Sequence, residues 1–293
     1  MLAAVRSVLF ILVMAVTVIF FASLTVLGFF LPVRWRYRIA AAYPRLMLHA
    51  GRWICGMRWQ VKGQENLPDH PVIVLSKHQS TWETFFLVSQ MPRHAAFVFK
   101  REILFIPFFG WAIGRLDMMH IDRRQGRRAF QHIVKNAPHQ FEQHDRWIVM
   151  FPEGTRIPPG QTGEYKSGGA RLALQNKTPV LPVAVNAGRC WPKKPFIKKP
   201  GLITLSYGPL ISVEGKTSDQ INREVEDWIE TEMRRIDPDS YPADEVAAVM
   251  AGATISQLRA AAHPTADTAG TAGTAAPVAP RGSAPLPDDG PHA

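Results

Sequence analysis

Cysteine is nearly absent from this sequence of 293 residues: there are only two, Cys55 and Cys190, far apart and outside any Cys/His ligand spacing. That pattern indicates neither a disulfide framework nor a cysteine zinc site, and leaves two reduced thiols in or near a core. Acidic residues are also scarce, 24 Asp and Glu against 34 Lys and Arg, for a net charge of +10. Such an excess favours an anionic partner, whether nucleic acid, a phospholipid surface or a phosphorylated substrate. Zinc-finger spacing and an RNP pattern are missing, which argues against nucleic acid. No internal repeat is visible. Charge itself is missing from one long stretch, Val8 to Val33, which is almost wholly apolar.

That stretch exceeds the roughly 20 residues needed to cross a bilayer core. A cleaved signal peptide has an apolar core of about 7–15 residues and a small-residue cleavage site. This run is longer and ends in Phe29-Phe30-Leu31-Pro32, so an uncleaved anchor is expected. Arg6 precedes it, whereas Arg34, Arg36 and Arg38 follow, with Trp35 and Tyr37 as interfacial aromatics. The positive-inside rule then puts the following domain in the cytoplasm. Arg45 to Met57 is amphipathic, so a hairpin that enters and leaves one leaflet is the alternative. Residues 1–56 are therefore assigned to a transmembrane or re-entrant helical anchor with an interfacial helix.

Residues 57–240 read as an α/β domain. Val72–Leu75, Ala96–Phe99, Trp147–Phe151, Val180–Val185 and Leu202–Tyr207 are short apolar runs of strand type. Helical patterns lie between and after them at Trp82–Gln90, Gln125–His144, Gly168–Gln175 and Ser218–Arg235. The last has Ser218 or Asp219 as cap and Ile221, Val225, Trp228 and Ile229 on one face. Strands alternating with helices predict a mostly parallel central sheet flanked by helices. Residues 241–293 turn to Ala, Thr, Gly and Pro, a composition too poor in large apolar groups to offset ordering entropy, and are expected to form a disordered tail.

Several constellations could carry chemistry. His78 follows a predicted strand and precedes a helix, where ligands of open α/β sheets bind. Histidine as a residue type is the usual general base for a hydroxyl, and a carboxylate on its other ring nitrogen would orient it. On a regular helix the His78–Glu83 spacing separates the two by about 140°. They meet only if His78 lies in the turn before the helix and Glu83 in its first turn, with Ser80 as cap. The same residues also fit a capping box, Ser80-Thr81-Trp82-Glu83, in which Glu83 serves only the backbone. Phe151-Pro152-Glu153-Gly154-Thr155-Arg156 follows another apolar strand; Gly154 permits a tight loop and Arg156 could fork onto a phosphate. A Pro-Glu-Gly turn with a local Glu–Arg pair is the plain alternative.

Ile121-Asp122-Arg123 offers Arg123 as a second phosphate ligand or as a solvated surface pair, and Lys100-Arg101 is a similar basic pair. Ile106 to Trp111 is aromatic-rich and suits an acyl groove, a membrane contact or plain core. Val180-Leu181-Pro182-Val183 reads as structural. Lys193, Lys194, Lys198 and Lys199 surround Trp191 and Phe196, as in segments that meet anionic headgroups or in a solvated loop.

Taken in order, His78-x4-Glu83, Ile121-Asp-Arg123, Phe151-Pro-Glu-Gly-Thr-Arg156 and Val180-Leu-Pro-Val183 resemble the four motif blocks of the glycerolipid acyltransferases, in particular bacterial 1-acyl-sn-glycerol-3-phosphate acyltransferases. The resemblance covers about residues 57–207. It implies His78 as the base that deprotonates the acceptor hydroxyl and Glu83 as its orienting carboxylate. It further implies that Arg123, Glu153, Gly154, Thr155 and Arg156 form the acceptor-phosphate site, with Lys77 and Lys100 as possible additions. The family's usual carboxylate is Asp, often in Asn-His-x4-Asp, whereas Lys77-His78 and Glu83 stand here. The implied reaction moves an acyl group from acyl-CoA or acyl-carrier protein to the sn-2 hydroxyl of lysophosphatidic acid, with no metal or prosthetic group. Phosphatidic acid would be made at the cytoplasmic face of a bacterial inner membrane. Backbone N–H groups near the His78 turn are candidates for the oxyanion donors. The rivals are the same chemistry on another lysolipid, and a non-catalytic membrane-tethered lipid-binding protein.

Overall fold

The computed structural model describes residues 1–262 except 123, 125, 194 and 195. It opens with a helical hairpin, α1 (Leu2–Leu27) and α2 (Val33–Cys55), turned by a 3-10 segment at Gly28–Phe30 and by Pro32. The hairpin is antiparallel and both its open ends rest on the domain. Phe21 meets Tyr43 at 6.4 Å, the Cys55 thiol lies 3.8 Å from the Arg6 carbonyl, and the Ser7 hydroxyl accepts from Lys198 N–H at 2.8 Å. Leu2–Phe30 is long and apolar enough to cross a bilayer. Ser7 touches the domain at Lys198 and Arg6 touches the end of α2 at Cys55, so the N-terminal end of α1 lies beside the domain.

Seven strands follow: β1 (Met57–Lys62), β2 (Ile73–Ser76), β3 (Ala95–Lys100), β4 (Met119–Ile121), β5 (Trp147–Met150), β6 (Val180–Val185) and β7 (Gly201–Tyr207). Their order in the sheet is β1-β7-β6-β2-β5-β3-β4, and every pairing is parallel except β6 with β7. The apolar runs form the interior strands. β1 and β4, not anticipated, are the two edges; β1 alternates buried Met57 with exposed Arg58, a pattern too polar to stand out as a buried strand.

Both faces of the sheet are covered, and strand residues alternate between them as a period of two requires. Val74, Val149, Leu181 and Val183 face the hairpin and α3 (Trp82–Gln90). Ile73, Leu75, Ile148, Val180 and Ala184 face α5 (Arg127–Pro138), α6 (Gly168–Gln175) and α7 (Ser218–Ile236), with short α4 (Phe109–Gly114) beside α1. Helix α7 buries Ile221, Val225 and Ile229 as expected. Its cap is Thr217, in a reciprocal box with Gln220, and not Ser218 or Asp219.

The boundary drawn at 241 does not hold. Helices α8 (Ala243–Met250) and α9 (Ile255–Ala262) pack on α7, burying Val249 and Ile255. Two buried aliphatics and Tyr241 suffice because α7 already presents a surface to receive them. The rest of the expected tail, 263–293, lies outside the described residues.

Candidate active site

β2 and β5 are neighbours, yet their outgoing helices α3 and α6 pack on opposite faces of the sheet. Where adjacent strands part in this way a crevice opens beyond their carboxyl ends. His78 leaves β2 into it, and the loop Phe151–Arg156 leaves β5 into it.

The His78 Nδ1 lies 2.9 Å from Glu83 Oε1, with the carboxylate fully buried and the imidazole partly open. Glu83 occupies the first turn of α3, so the turn-plus-helix arrangement holds. The same Oε1 accepts from the N–H groups of Gln79 at 2.7 Å and Ser80 at 2.6 Å. Capping and orientation of the histidine are thus one arrangement. The α3 cap is Thr81, while the Ser80 hydroxyl accepts from Trp82 N–H at 3.1 Å, so only the Glu83 half of the expected box forms. Oε2 of Glu83 is buried without a hydrogen bond among the described residues, beside the positive end of the helix dipole. Phe151 stacks on the imidazole, with ring centroids 3.8 Å apart.

Two expected phosphate ligands are turned elsewhere. Glu153 is buried: its Oε2 accepts from His78 N–H at 2.9 Å and its Oε1 from Lys77 Nζ at 2.7 Å. Lys77 is fully buried, donating also to Glu230 Oε1 at 2.7 Å and to the Gln161 carbonyl at 3.1 Å. Neither side chain lines the crevice, because a lysine and two carboxylates satisfy one another inside the domain. Burial pushes the Glu153 carboxyl up, opposed by Lys77 and the His78 N–H. Tyr165 donates to Glu230 at 2.8 Å, and burial with that carboxylate holds its phenol well above the usual range.

The oxyanion candidates near His78 are corrected by the same bonds. The N–H groups of His78, Gln79 and Ser80 are all consumed by carboxylates.

Gly154, Thr155 and Arg156 do face the crevice, as does Lys100. Gly154 has φ +65, a conformation that favours glycine. Arg156 Nη1 touches Thr81 Oγ1 at 3.3 Å. Lys193 joins them, donating to Thr155 Oγ1 at 2.9 Å and to the Arg156 carbonyl at 3.2 Å. In the sequence it stood only among headgroup lysines; Glu230, far along on α7, carried no signal at all. Arg123 lies outside the described residues, although Ile121 of the same block lines the crevice. Val180–Val183 is buried strand, as expected.

The crevice has a volume of about 530 Å³ and extends between the hairpin and the domain, where its lining is mostly apolar. Phe21 of α1, Tyr43 of α2, Val88 of α3, Phe97 of β3, Ile113 of α4 and Leu116 are among its walls. The space is therefore lined by cationic side chains, an oriented imidazole and many apolar groups. Cys190 is buried and its thiol is pushed up to about 11 by desolvation, so it is no nucleophile near neutrality.

An acyltransferase family profile matches residues 58–186. The chain is 40% identical over 240 residues to the 1-acyl-sn-glycerol-3-phosphate acyltransferase of Pseudomonas aeruginosa, covering 80% of this chain and 93% of that protein. It is 29% identical over 179 residues to the mouse 1-acyl-sn-glycerol-3-phosphate acyltransferase alpha, covering 60% and 62% of the two chains. The crystal structure of the 1-acyl-sn-glycerophosphate (LPA) acyltransferase from Thermotoga maritima superposes with a TM-score of 0.66 at 22% identity, over 79% of this chain and 94% of that one, a likeness of fold. The chain thus belongs to the acyltransferase family that includes the bacterial and animal 1-acyl-sn-glycerol-3-phosphate acyltransferases, and it is an acyltransferase.

Proposed function

We propose that this chain transfers a fatty acyl group from an acyl thioester, acyl-CoA or acyl-carrier protein, to the sn-2 hydroxyl of lysophosphatidic acid, releasing phosphatidic acid and a thiol. The observation that carries the reading is the Glu83-oriented His78 in a crevice lined by both cationic and apolar side chains. With Nδ1 donating to Glu83, Nε2 is free to take the acceptor hydroxyl proton as the oxygen attacks the thioester carbonyl. The tetrahedral intermediate collapses by expelling the thiolate, which recovers that proton from His78. Glu83 stabilises the transient imidazolium, as a buried carboxylate does in a serine-protease triad. Arg156, assisted by Lys193 and Thr155, binds the phosphate, while Lys77 and Glu153 support the His78 loop from behind. A thioester is already activated, so these groups suffice without a metal or prosthetic group.

The hairpin supplies the membrane contact. Exposed Leu9, Leu12, Val16, Phe20, Leu24 and Leu27 on α1, with Trp53 on α2 and Phe105 and Trp111 near α4, form an apolar surface that lowers the protein into one leaflet. Basic residues at the turn and along α2 suit the anionic inner face of a bacterial cytoplasmic membrane. In detergent, lysophosphatidic acid and a radiolabelled acyl thioester should give labelled phosphatidic acid with wild type and almost none with His78→Ala. Full activity in His78→Ala would remove the base assignment. Folded wild type that is inert with both donors would mean a different lysolipid acceptor.

A further inference from the structure

Where the turn entering β4 meets the turn entering β5, the Asp117 carboxylate oxygen Oδ2 is met by two imidazoles at once, His139 Nε2 at 2.9 Å and His144 Nε2 at 2.7 Å. The three potential ligand atoms lie within 4.8 Å of one another. His139 and His144 are five residues apart, which on an α-helix would separate them by about 140°. Here the backbone between them is a π-helix, His139–Gln143, following Pro138. Its i to i+5 hydrogen bonding brings residues five apart onto one side, and such turns are frequent at functional sites. Asp117 sits at φ +53, in the left-handed region that Asp tolerates.

The scaffold beneath is buried and cross-linked. Arg146 donates to the carbonyls of Leu116 at 2.9 Å and Asp117 at 3.1 Å and to Gln140 Oε1 at 3.1 Å, while Gln140 Nε2 donates to the Asp117 carbonyl at 2.9 Å. A side chain of the π turn therefore holds the backbone that presents the carboxylate. One guanidinium nitrogen, Nη1, makes all three of these Arg146 contacts, and the two imidazoles are what meet the carboxylate.

We infer that Asp117, His139 and His144 form a binding site for one divalent transition-metal ion of the zinc class, with two imidazole nitrogens, one carboxylate oxygen and an open position for water. Zinc sits about 2.0–2.2 Å from such ligands and sets them tetrahedrally. That spacing needs the imidazole–carboxylate contacts to open by only about half an ångström, which the partly exposed rings allow. Each imidazole must present Nε2 unprotonated, so Nδ1 carries its proton and the metal displaces the N–H that bridges to Asp117. Leu116 and Met118, on either side of Asp117, line the acyl cavity. A bound ion would therefore tie one wall of that cavity to the π turn without entering the reaction.

The test uses untagged full-length protein in detergent, stripped with chelator and titrated with Zn²⁺ against a chromophoric competitor. One zinc per chain is expected, with an X-ray absorption spectrum of nitrogen and oxygen ligands that includes imidazole scattering. Asp117→Asn and His144→Gln should each weaken binding more than about tenfold, and Gln140→Leu, beneath the ligands, about tenfold or more. Acyl transfer by chelator-treated wild type should persist. Absence of stoichiometric zinc, a sulfur-containing shell, or equal affinity in folded Asp117→Asn and His144→Gln would overturn the site. The wild-type spectrum decides even if a variant fails to fold.

Discussion

The carboxylate of Glu153 accepts the backbone N–H of His78 at 2.9 Å, joining two loops that are 75 residues apart in the chain. The glutamate of the Phe151–Arg156 segment is thus a support for the base. Its second oxygen is held by Lys77, and Lys77 in turn by Glu230, so the loop that carries His78 is braced from β5 and from α7. Arg234, 3.7 Å from Glu230, completes a buried group of two cations and two carboxylates.

Removing the middle of this brace leaves two carboxylates facing each other in a dry interior. Lys77→Met is expected to cost about 3–5 kcal/mol of stability, the usual penalty for orphaning a buried charge. Thermal or denaturant unfolding in detergent reads it. A loss within about 0.5 kcal/mol, the range of ordinary surface substitutions, would contradict the brace.

Glu83→Gln keeps the shape of the side chain and removes its charge. The oriented imidazole then lacks a partner for its protonated state, and kcat should fall on the order of 10²-fold or more while KM for the acceptor changes little. If KM rises and kcat stays, Glu83 only caps α3.

Arg156→Ala should raise KM for lysophosphatidic acid by about 10–100-fold, the equivalent of about 1.5–3 kcal/mol for a hydrogen bond to a charged group. Lys193→Ala should act in the same direction and more weakly, since its ammonium is exposed and tied to Thr155. A phosphate-free monoacylglycerol, used as a poor acceptor, should be indifferent to both changes. Equal losses on the two acceptors would show that the arginine shapes the loop and binds no phosphate.

Burial, with Arg146 and Arg38 nearby, pushes the His94 imidazole down from 6.5 to about 4, and the ring stacks on Tyr37 with centroids 4.1 Å apart. Between these values the unfolded chain binds a proton that the folded chain refuses, so stability rises with pH across the window. The contribution is complete above about 6.5 and is lost as pH falls towards 4. His94→Gln should flatten the difference in melting temperature between pH 7 and pH 4.5. An unchanged slope would place the acid sensitivity elsewhere.

Interior strands, the length of α3 and α7, the apolar first helix and the order of the four motif blocks were all legible in the sequence, since each depends on local period or on residues adjacent in the chain. The edge strands were not, because β1 is half polar and β4 has only three residues, and both become strands by pairing with β7 and β3. The π turn at His139 was equally invisible: an α-helix through 144 satisfies the same pattern, and only packing around buried Gln140 and Arg146 selects the wider turn.

By itself the sequence determined residue types and their spacing: an imidazole five positions before a carboxylate, an arginine behind a glycine, an apolar run at the front. Those are covalent facts that physics must respect in any fold. Tertiary structure alone decided which charged groups face the crevice and which face each other. Lys77 and Glu153 look like ligands in the chain and are braces in the fold, because a buried charge is held only where a partner from elsewhere meets it. Where the two ends of the helical hairpin come to rest was decided in the same way, by the contacts of Ser7 and Cys55, which no hydropathy pattern records.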